Sequence, residues 1–313
     1  MEEKFLDVLK KHTAGSPQSE KIIWTDLSIS EIIDKVKKAG SDISRRAVKV
    51  LLKKHGFKKR KIQKRLSTGK TVYRDEQFKK ISRLKNKYLK SVNPIISVDT
   101  KKKEFLGSLY RPGQVYCREE ILSFDHDFPH LADGKIVPHG IYDVKNNSAY
   151  VNIGTSCETA EFACDSIKQW WYKQGRNHYP KATSILMLVD SGGSNSYRHY
   201  IFKEELQKLV NTIGVEIRIA HYPPYASKWN PIEHRLFPHI TRSMQGVLLK
   251  SYDITKQLIE KTTTKTGLKV CAHVIKKEYE KGKKVAEGFK ESMKIKFDKI
   301  LGQWNYRAMP LNI

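Results

Sequence analysis

No stretch of the 313-residue sequence approaches the roughly 18–20 apolar residues that a bilayer span requires. The opening Met1-Glu2-Glu3-Lys4-Phe5-Leu6-Asp7 lacks the apolar core of a signal peptide. A cytoplasmic protein without a membrane partner is the expectation. Cysteine is scarce as well. Cys117, Cys157, Cys164 and Cys271 are scattered and form no Cys-x-x-Cys pair, which argues against a disulfide framework or a zinc module and for ordinary buried thiols. His126, His130 and His139 lack the tight spacing of zinc ligands and read as surface histidines in a loop-rich stretch. The Gly192-Gly193 pair is not part of a GxxxxGK[ST] loop, so nucleotide hydrolysis is not indicated. Acids are outnumbered: 33 Asp and Glu face 59 Lys and Arg, a net charge of +26. Such a surplus exceeds what solubility needs and points to a polyanionic partner, nucleic acid first. The length suits one catalytic domain with small appendages.

Residues 25–60 have the pattern of a helix-turn-helix. Ser28 and Glu31 form a Ser-x-x-Glu capping box, after which Ile29, Ile32, Ile33 and Val36 recur at helical spacing until Ala39-Gly40. Ser44 caps a second helix with Val48, Leu51 and Leu52 inward and Arg45, Arg46, Lys49 and Lys53 outward. In a DNA-binding unit of this kind the second helix enters the major groove; a plain helical hairpin is the alternative. From Lys53 to Lys70 there are nine Lys or Arg and no acid. Lys58, Lys59, Arg60, Lys61, Lys64 and Arg65 are candidate phosphate contacts in this basic linker, against the alternative of a solvated charge run. The expected organisation is an N-terminal segment over 1–24, the helix-turn-helix over 25–60, and a basic linker and helix over 61–92. A catalytic domain over 93–250 and a C-terminal α/β extension over 251–313 follow.

Beyond Pro94 strands and helices alternate. Ile95–Asp99 and Ser184–Asp190 are apolar strands that each end in an acid. Strands are also expected around 104–109, 136–143, 148–153 and 215–220, with helices over 158–174 and 197–212. This order predicts a mixed α/β sheet with helices on both faces, as in ribonuclease-H-like nucleases, preceded by the small all-α helix-turn-helix domain. Ligands of such sheets gather at the carboxyl ends of central strands, where Asp99 and Asp190 fall. Glu233 opens the next helix. Three converging carboxylates repel one another unless cations neutralise them, and hard oxygen donors suit Mg²⁺ or Mn²⁺. Two such ions would support phosphoryl transfer. Each acid also has a structural reading: Asp99 and Asp190 as turn openers, and Glu233 as the N3 acid of a helix with Asn230 as N-cap and Pro231 at N1. Lys101 and Lys103, just past Asp99, are candidates for steering a DNA phosphate, since alternate strand residues share a face.

Three segments carry a family resemblance. Ile95–Glu104 (IISVDTKKKE), Leu188–Asn195 (LVDSGGSN) and Tyr222–Phe237 (YPPYASKWNPIEHRLF) resemble the acidic motifs of DDE transposases in the ISAzo branch of bacterial insertion sequences. The similarity runs from about Trp24 to Tyr306. It implies a ribonuclease-H-like fold, Mg²⁺-dependent cleavage at element ends, and strand transfer into target DNA by the freed 3′-hydroxyl. Its partners would be double-stranded DNA and other copies of the chain, in the bacterial cytoplasm on the nucleoid. Asp99, Asp190 and Glu233 match the catalytic triad, with Asn195, Asn230 and His234 as supporting residues. Relatives commonly have more helical sequence before the helix-turn-helix, which implies a truncated copy. Two alternatives stand beside this reading: a nuclease on the same fold that cuts without joining, and an inactive remnant that only binds DNA.

Overall fold

The computed structural model describes residues 1–16, 19–60 and 72–311. The chain divides into two compact units, Met1–Leu66 and Ser67–Ile313. In the first, α1 (Glu2–Lys11) leads through an antiparallel hairpin of β1 (Ala14–Ser16) and β2 (Ser19–Trp24) to α2 (Ile29–Lys38) and α3 (Arg45–Lys54). Ser28 Oγ accepts from Glu31 N at 3.3 Å while Ser28 N donates to Glu31 Oε2 at 2.7 Å, so the capping box closes at both ends. Ser44 Oγ caps α3 through Ala47 N at 3.1 Å. Phe5, Val8 and Leu9 of α1 are buried with Ile32, Val36, Ile43 and Val48. α1 therefore contributes to this core rather than lying beside the helix-turn-helix as a leftover segment. The ammonium of Lys54 pairs with Glu2 at 2.7 Å, whereas Arg45, Arg46, Lys49 and Lys53 are exposed, as are Lys58, Lys59 and Arg60 after α3. Lys61, Lys64 and Arg65 lie outside the described residues.

The second unit opens with α4 (Arg74–Leu89), followed by β3 (Ile95–Thr100), β4 (Glu104–Leu106), β5 (Gly134–Asp143) and β6 (Ser148–Gly154). Next come α5 (Ala160–Trp170), which passes through a wide helical turn into α6 (Arg176–His178), then β7 (Ser184–Val189), α7 (Tyr200–Ile213) and β8 (Glu216–His221). The chain ends with α8 (Ile232–Arg235), α9 (Phe237–Ser243), α10 (Tyr252–Glu260), β9 (Lys269–Ile275), α11 (Phe289–Ser292), β10 (Ile295–Phe297) and β11 (Asn305–Ala308). Nine strands form one mixed sheet in the order β10-β11-β8-β7-β3-β5-β6-β9, with β4 paired to β5. β3, β5 and β6 are antiparallel neighbours, and β7 and β8 then add in parallel on the far side of β3. That is the strand order of a ribonuclease-H-like sheet.

The apolar run Ser184–Val189 is buried at every position because helices cover both faces of the sheet. On one face Ile96, Val98, Ile185 and Met187 pack against Ile167 and Trp170 of α5 and Phe202 and Leu206 of α7. On the other, Ile95, Leu186 and Leu188 pack against Ile81 and Tyr88 of α4. α4, expected to accompany the linker, thus belongs to this unit; its buried Gln77 donates to His221 O at 2.7 Å and exchanges hydrogen bonds with Asn305. The segment 251–313 is likewise no separate extension, since β9 pairs with β6 and β11 with β8. His139 is corrected too. It lies on β5, fully buried against Phe162, neither ring nitrogen has a hydrogen-bond partner, and burial pushes its pKa down to about 3. Of the four cysteines only Cys164 is buried; Cys117 and Cys271 are exposed. No helix among the described residues is long and apolar enough to cross a membrane.

Candidate active site

Strand register brings the first two acids together. β3 and β7 pair in parallel with Ser97 beside Leu188, so two residues further on Asp99 and Asp190 emerge side by side from the same face. Across the other edge of β3, Asp99 stands opposite Gly140 of β5. A Cβ at Gly140 would stand 2.8 Å from Ile232 Cδ1 and 2.9 Å from Phe237 Cε1. The missing side chain lets Ile232 of α8, Phe237 of α9 and Leu236 between them pack closely onto this part of the sheet, and that packing positions Glu233. Gly140→Ala is therefore expected to cost about 1–3 kcal/mol of stability through overpacking. It should slow catalysis further, on the order of 10²-fold, by displacing α8. Thermal unfolding and single-turnover cleavage measure the two effects, and a wild-type cleavage rate would show that α8 need not sit where it does.

The entry to α8 is fixed from beneath. Ser97 Oγ donates to Asn230 Oδ1 at 2.5 Å and accepts from Ile232 N at 2.9 Å, while Asn230 Nδ2 donates to Val98 O at 3.2 Å. Asn230 is fully buried, and its side chain is drawn into the sheet instead of capping a helix. α8 starts one residue later than expected, with Pro231 in the cap position and no side-chain cap. Capping thus does not account for Glu233. His234 is exposed and its Nε2 hydrogen-bonds Lys228 O, bracing the turn ahead of α8. Asn195 is buried, and its Oδ1 has no hydrogen-bond partner.

The electrostatics record the crowding. Burial pushes the Asp99 carboxyl up to about 8, helped by the charge of Asp190 and by the charge and hydrogen-bonding contact of Glu233, against a backbone hydrogen bond from Thr100 N at 2.7 Å. Asp190 rises to about 6 through burial and the charges of Glu233 and Glu158, against a hydrogen bond from Gly192 N at 3.2 Å. All three side chains are partly exposed, so the group opens to solvent. Among the described residues no three His, Cys, Asp or Glu side chains are already arranged to hold a metal ion. The donor set itself, three hard carboxylate oxygens that repel one another, has the chemistry a divalent cation requires.

Lys101 is only 7% exposed and its Nζ pairs with Glu104 at 2.5 Å; Arg111 holds the same carboxylate at 2.7 Å. This corrects the expectation that Lys101 steers DNA. β3 ends at Thr100, so strand alternation no longer applies to residues 101–103. Lys103 pairs with Glu158 at 3.5 Å, and Lys102 is the exposed member of the three. Two neighbours escaped sequence reasoning. Glu158, just before the Thr159 cap of α5, is a further acid whose charge, after that of Glu233, raises Asp190. His221 ends β8 beside Val189; its Nδ1 donates to Asp190 O at 2.8 Å and its Nε2 meets Tyr306 Oη at 3.0 Å. Burial holds this imidazole down to about 4, so it stays neutral and clamps the Asp190 backbone. A histidine one residue past an expected strand, paired with the residue before Asp190, was the available signal.

A ribonuclease-H-like sheet with carboxylates crowded at its central strand ends is the build of enzymes that cut and join nucleic-acid strands. The chain belongs to the DDE transposases: residues 4–310 match the family described as Rhodopirellula transposase DDE domain. It is a DNA transposase of the polynucleotidyl-transferase type, a class that works with divalent metal ions. The fold is similar to the Mos1 transposase paired-end complex with left transposon end, at 14% identity over 83% of this chain and 70% of that one, TM-score 0.46. It is also similar to the Mos1 Strand Transfer Complex, at 14% identity over 84% and 70%, TM-score 0.45. No curated protein matches the chain.

Proposed function

We propose that Asp99, Asp190 and Glu233 jointly hold two divalent ions, Mg²⁺ or Mn²⁺, and that this site cleaves DNA at the ends of an insertion sequence and joins them to a target. The strand register that sets Asp99 beside Asp190, where burial and neighbouring acid charges push both carboxyls up, is the observation that carries the reading. Carboxylates that resist ionising together are ones a bound cation would stabilise in their charged form. When bound, the ions would activate the attacking oxygen and stabilise the leaving one. Asp99 and Asp190 would supply ligands from rigid parallel strands, and Glu233 from α8 would complete the set. Ser97 and Asn230 hold α8 in register, while His221 fixes the Asp190 main chain.

Double-stranded DNA would be gripped by the exposed basic face of α3, through Arg45, Arg46, Lys49 and Lys53, and by Lys58, Lys59 and Arg60 beyond it. Homo-oligomerisation is supported by the segment between β4 and β5. It exposes Tyr110, Tyr116, Leu122 and Phe128 among the acids Glu119, Glu120, Asp125 and Asp127. An acidic, apolar surface on so basic a chain suits a second copy better than DNA. Work on bacterial DNA would place the enzyme in the cytoplasm, at the nucleoid.

The test uses labelled duplexes bearing the terminal repeats that flank the gene, a plasmid target and Mg²⁺. Joined product is expected. Cleavage without joining would make the protein a nuclease, and DNA binding with neither step would make it a remnant.

A further inference from the structure

Each of the four polar atoms of His221 meets a different partner. Its N–H donates to Trp304 O at 2.9 Å, and its carbonyl accepts from Gln77 Nε2 at 2.7 Å. Nδ1 reaches Asp190 O at 2.8 Å and Nε2 reaches Tyr306 Oη at 3.0 Å. One fully buried residue thus ties α4, the end of β7 and the C-terminal strand β11 together. Buried polar groups are paired as a rule, but pairing all four to separate partners leaves the imidazole a single orientation.

The junction bears on the reaction through Asp190. β7 stops at Val189, so the Asp190 main chain lies just beyond the strand. Val189 O accepts from Tyr222 N at 2.7 Å and the Ser191 hydroxyl donates to Tyr222 O; between them, the bond to Asp190 itself comes from the His221 ring. A carbonyl can only accept, so Nδ1 carries a proton. Burial, with the charge of Lys203 acting the same way, keeps the ring neutral. Nε2 is then an acceptor and Tyr306 Oη its donor.

Tyr306 is itself fixed. It is fully buried on β11, opposite Ile219 of β8 and Phe297 of β10, and burial raises its hydroxyl, which keeps its proton. Its ring lies 5.4 Å from the ammonium of Lys203, a lysine only 3% exposed that donates to Tyr197 O at 2.5 Å. The Tyr197 ring in turn meets the imidazole edge-on at 5.9 Å.

We propose that Tyr306 is a positioning residue of the reaction: its hydroxyl donates to His221 Nε2, keeps the ring proton on Nδ1, and so holds the Asp190 main chain and carboxylate in register with Asp99. The inference rests on the reading that Asp190 is a metal ligand where DNA is cut. Without the hydroxyl, Nε2 is a buried acceptor with no donor. The other tautomer then turns a bare Nδ1 toward the Asp190 carbonyl, where two acceptors repel. The C-terminal strand serves the chemistry in this way as well as the fold.

The test uses protein labelled with ¹⁵N-histidine, in which nitrogen–proton couplings report which ring nitrogen carries the proton; His221→Asn identifies the signals of this ring. Wild type is expected to show Nδ1–H at His221, and Tyr306→Phe to shift the ring toward Nε2–H. Tyr306→Phe should also slow single-turnover cleavage by about 10–100-fold with DNA affinity unchanged, as loss of a group that orients a metal ligand does. His221→Asn supplies the comparison, because an amide offers N–H near the Nδ1 position and has no tautomer to lose. Whatever rate His221→Asn leaves, adding Tyr306→Phe should lower it by less than about twofold, whereas damage to packing alone would slow both backgrounds alike. Cleavage by Tyr306→Phe at the wild-type rate, or equal loss in both backgrounds, overturns the role of Tyr306 and leaves the transposase reading standing. A proton on Nε2 in wild type overturns it too, even should Tyr306→Phe not fold. If wild type cuts no end duplex with Mg²⁺ or Mn²⁺, the catalytic reading fails and the role of Tyr306 falls with it, whichever tautomer is found.

Discussion

Asp99→Asn is expected to lower DNA cleavage and joining by about 10³-fold or more, because removing one metal-binding carboxylate forfeits several kcal/mol of transition-state stabilisation. Affinity for DNA should be nearly unchanged, since the phosphate contacts are assigned to the basic helix α3 and the residues after it. Glu233→Gln should behave in the same way, although its carboxylate comes from a helix rather than a strand. The substitution has a second consequence that separates it from ordinary damage. In metal-free protein Asp99 is buried against Asp190 and Glu233, so an amide there removes repulsion without leaving a hole. The variant should be inactive and yet more stable than wild type when no metal is present. Single-turnover cleavage, a binding titration and thermal unfolding in EDTA measure the three quantities. A variant that cuts within roughly tenfold of wild type would remove Asp99 from the chemistry.

Metal-free stability should also fall as pH rises, the reverse of what paired carboxylates produce. Asp99 has a folded pKa of about 8 and Asp190 of about 6, both above the ordinary carboxylate value of 3.8. Between those limits the folded state keeps protons that the unfolded state has released, so folding loses free energy with every increase in pH. The loss begins near pH 4. It continues to about 6 for Asp190 and to about 8 for Asp99, then levels off. Wild type should therefore lose several degrees of unfolding midpoint between pH 5 and pH 8 relative to Asp99→Asn, at about 2–4 °C per kcal/mol for a chain of this size. Added Mg²⁺ should restore wild type most at pH 8, where it has least competition from protons. Equal pH slopes for wild type and variant would mean that Asp99 titrates normally.

These expectations depend on contacts that were unequally visible beforehand. The two aspartates were legible because each closes a continuous apolar run, and a buried strand ending in an acid is a local pattern. The capping box at Ser28 and Glu31 was legible for the same reason. Glu233 was reached through its motif, but its local pattern read equally well as a cap, because its placement depends on partners far away in sequence: the bare Cα of Gly140 and the bonds that Ser97 makes to Asn230 and Ile232. Local reasoning assigned Asn230 to a cap that its side chain does not make. Lys101 was misplaced by extending a period-two pattern past Thr100, where the strand stops. His139 was taken for a surface histidine although it falls inside the strand expected over 136–143; its type suggested exposure, whereas that strand is buried on both faces. The strands after residue 250 carry no motif of their own, and only pairing with β6 and β8 shows that they complete the sheet.

The central claim is that Asp99, Asp190 and Glu233 act together as one metal-binding group. Titrating Mn²⁺ into the protein and reading free ion by electron paramagnetic resonance tests it without relying on turnover. Wild type should bind Mn²⁺ more tightly at pH 8 than at pH 6, and Asp99→Asn, Asp190→Asn and Glu233→Gln should each weaken that binding by about tenfold or more. Binding of equal strength in wild type and all three variants would contradict the account.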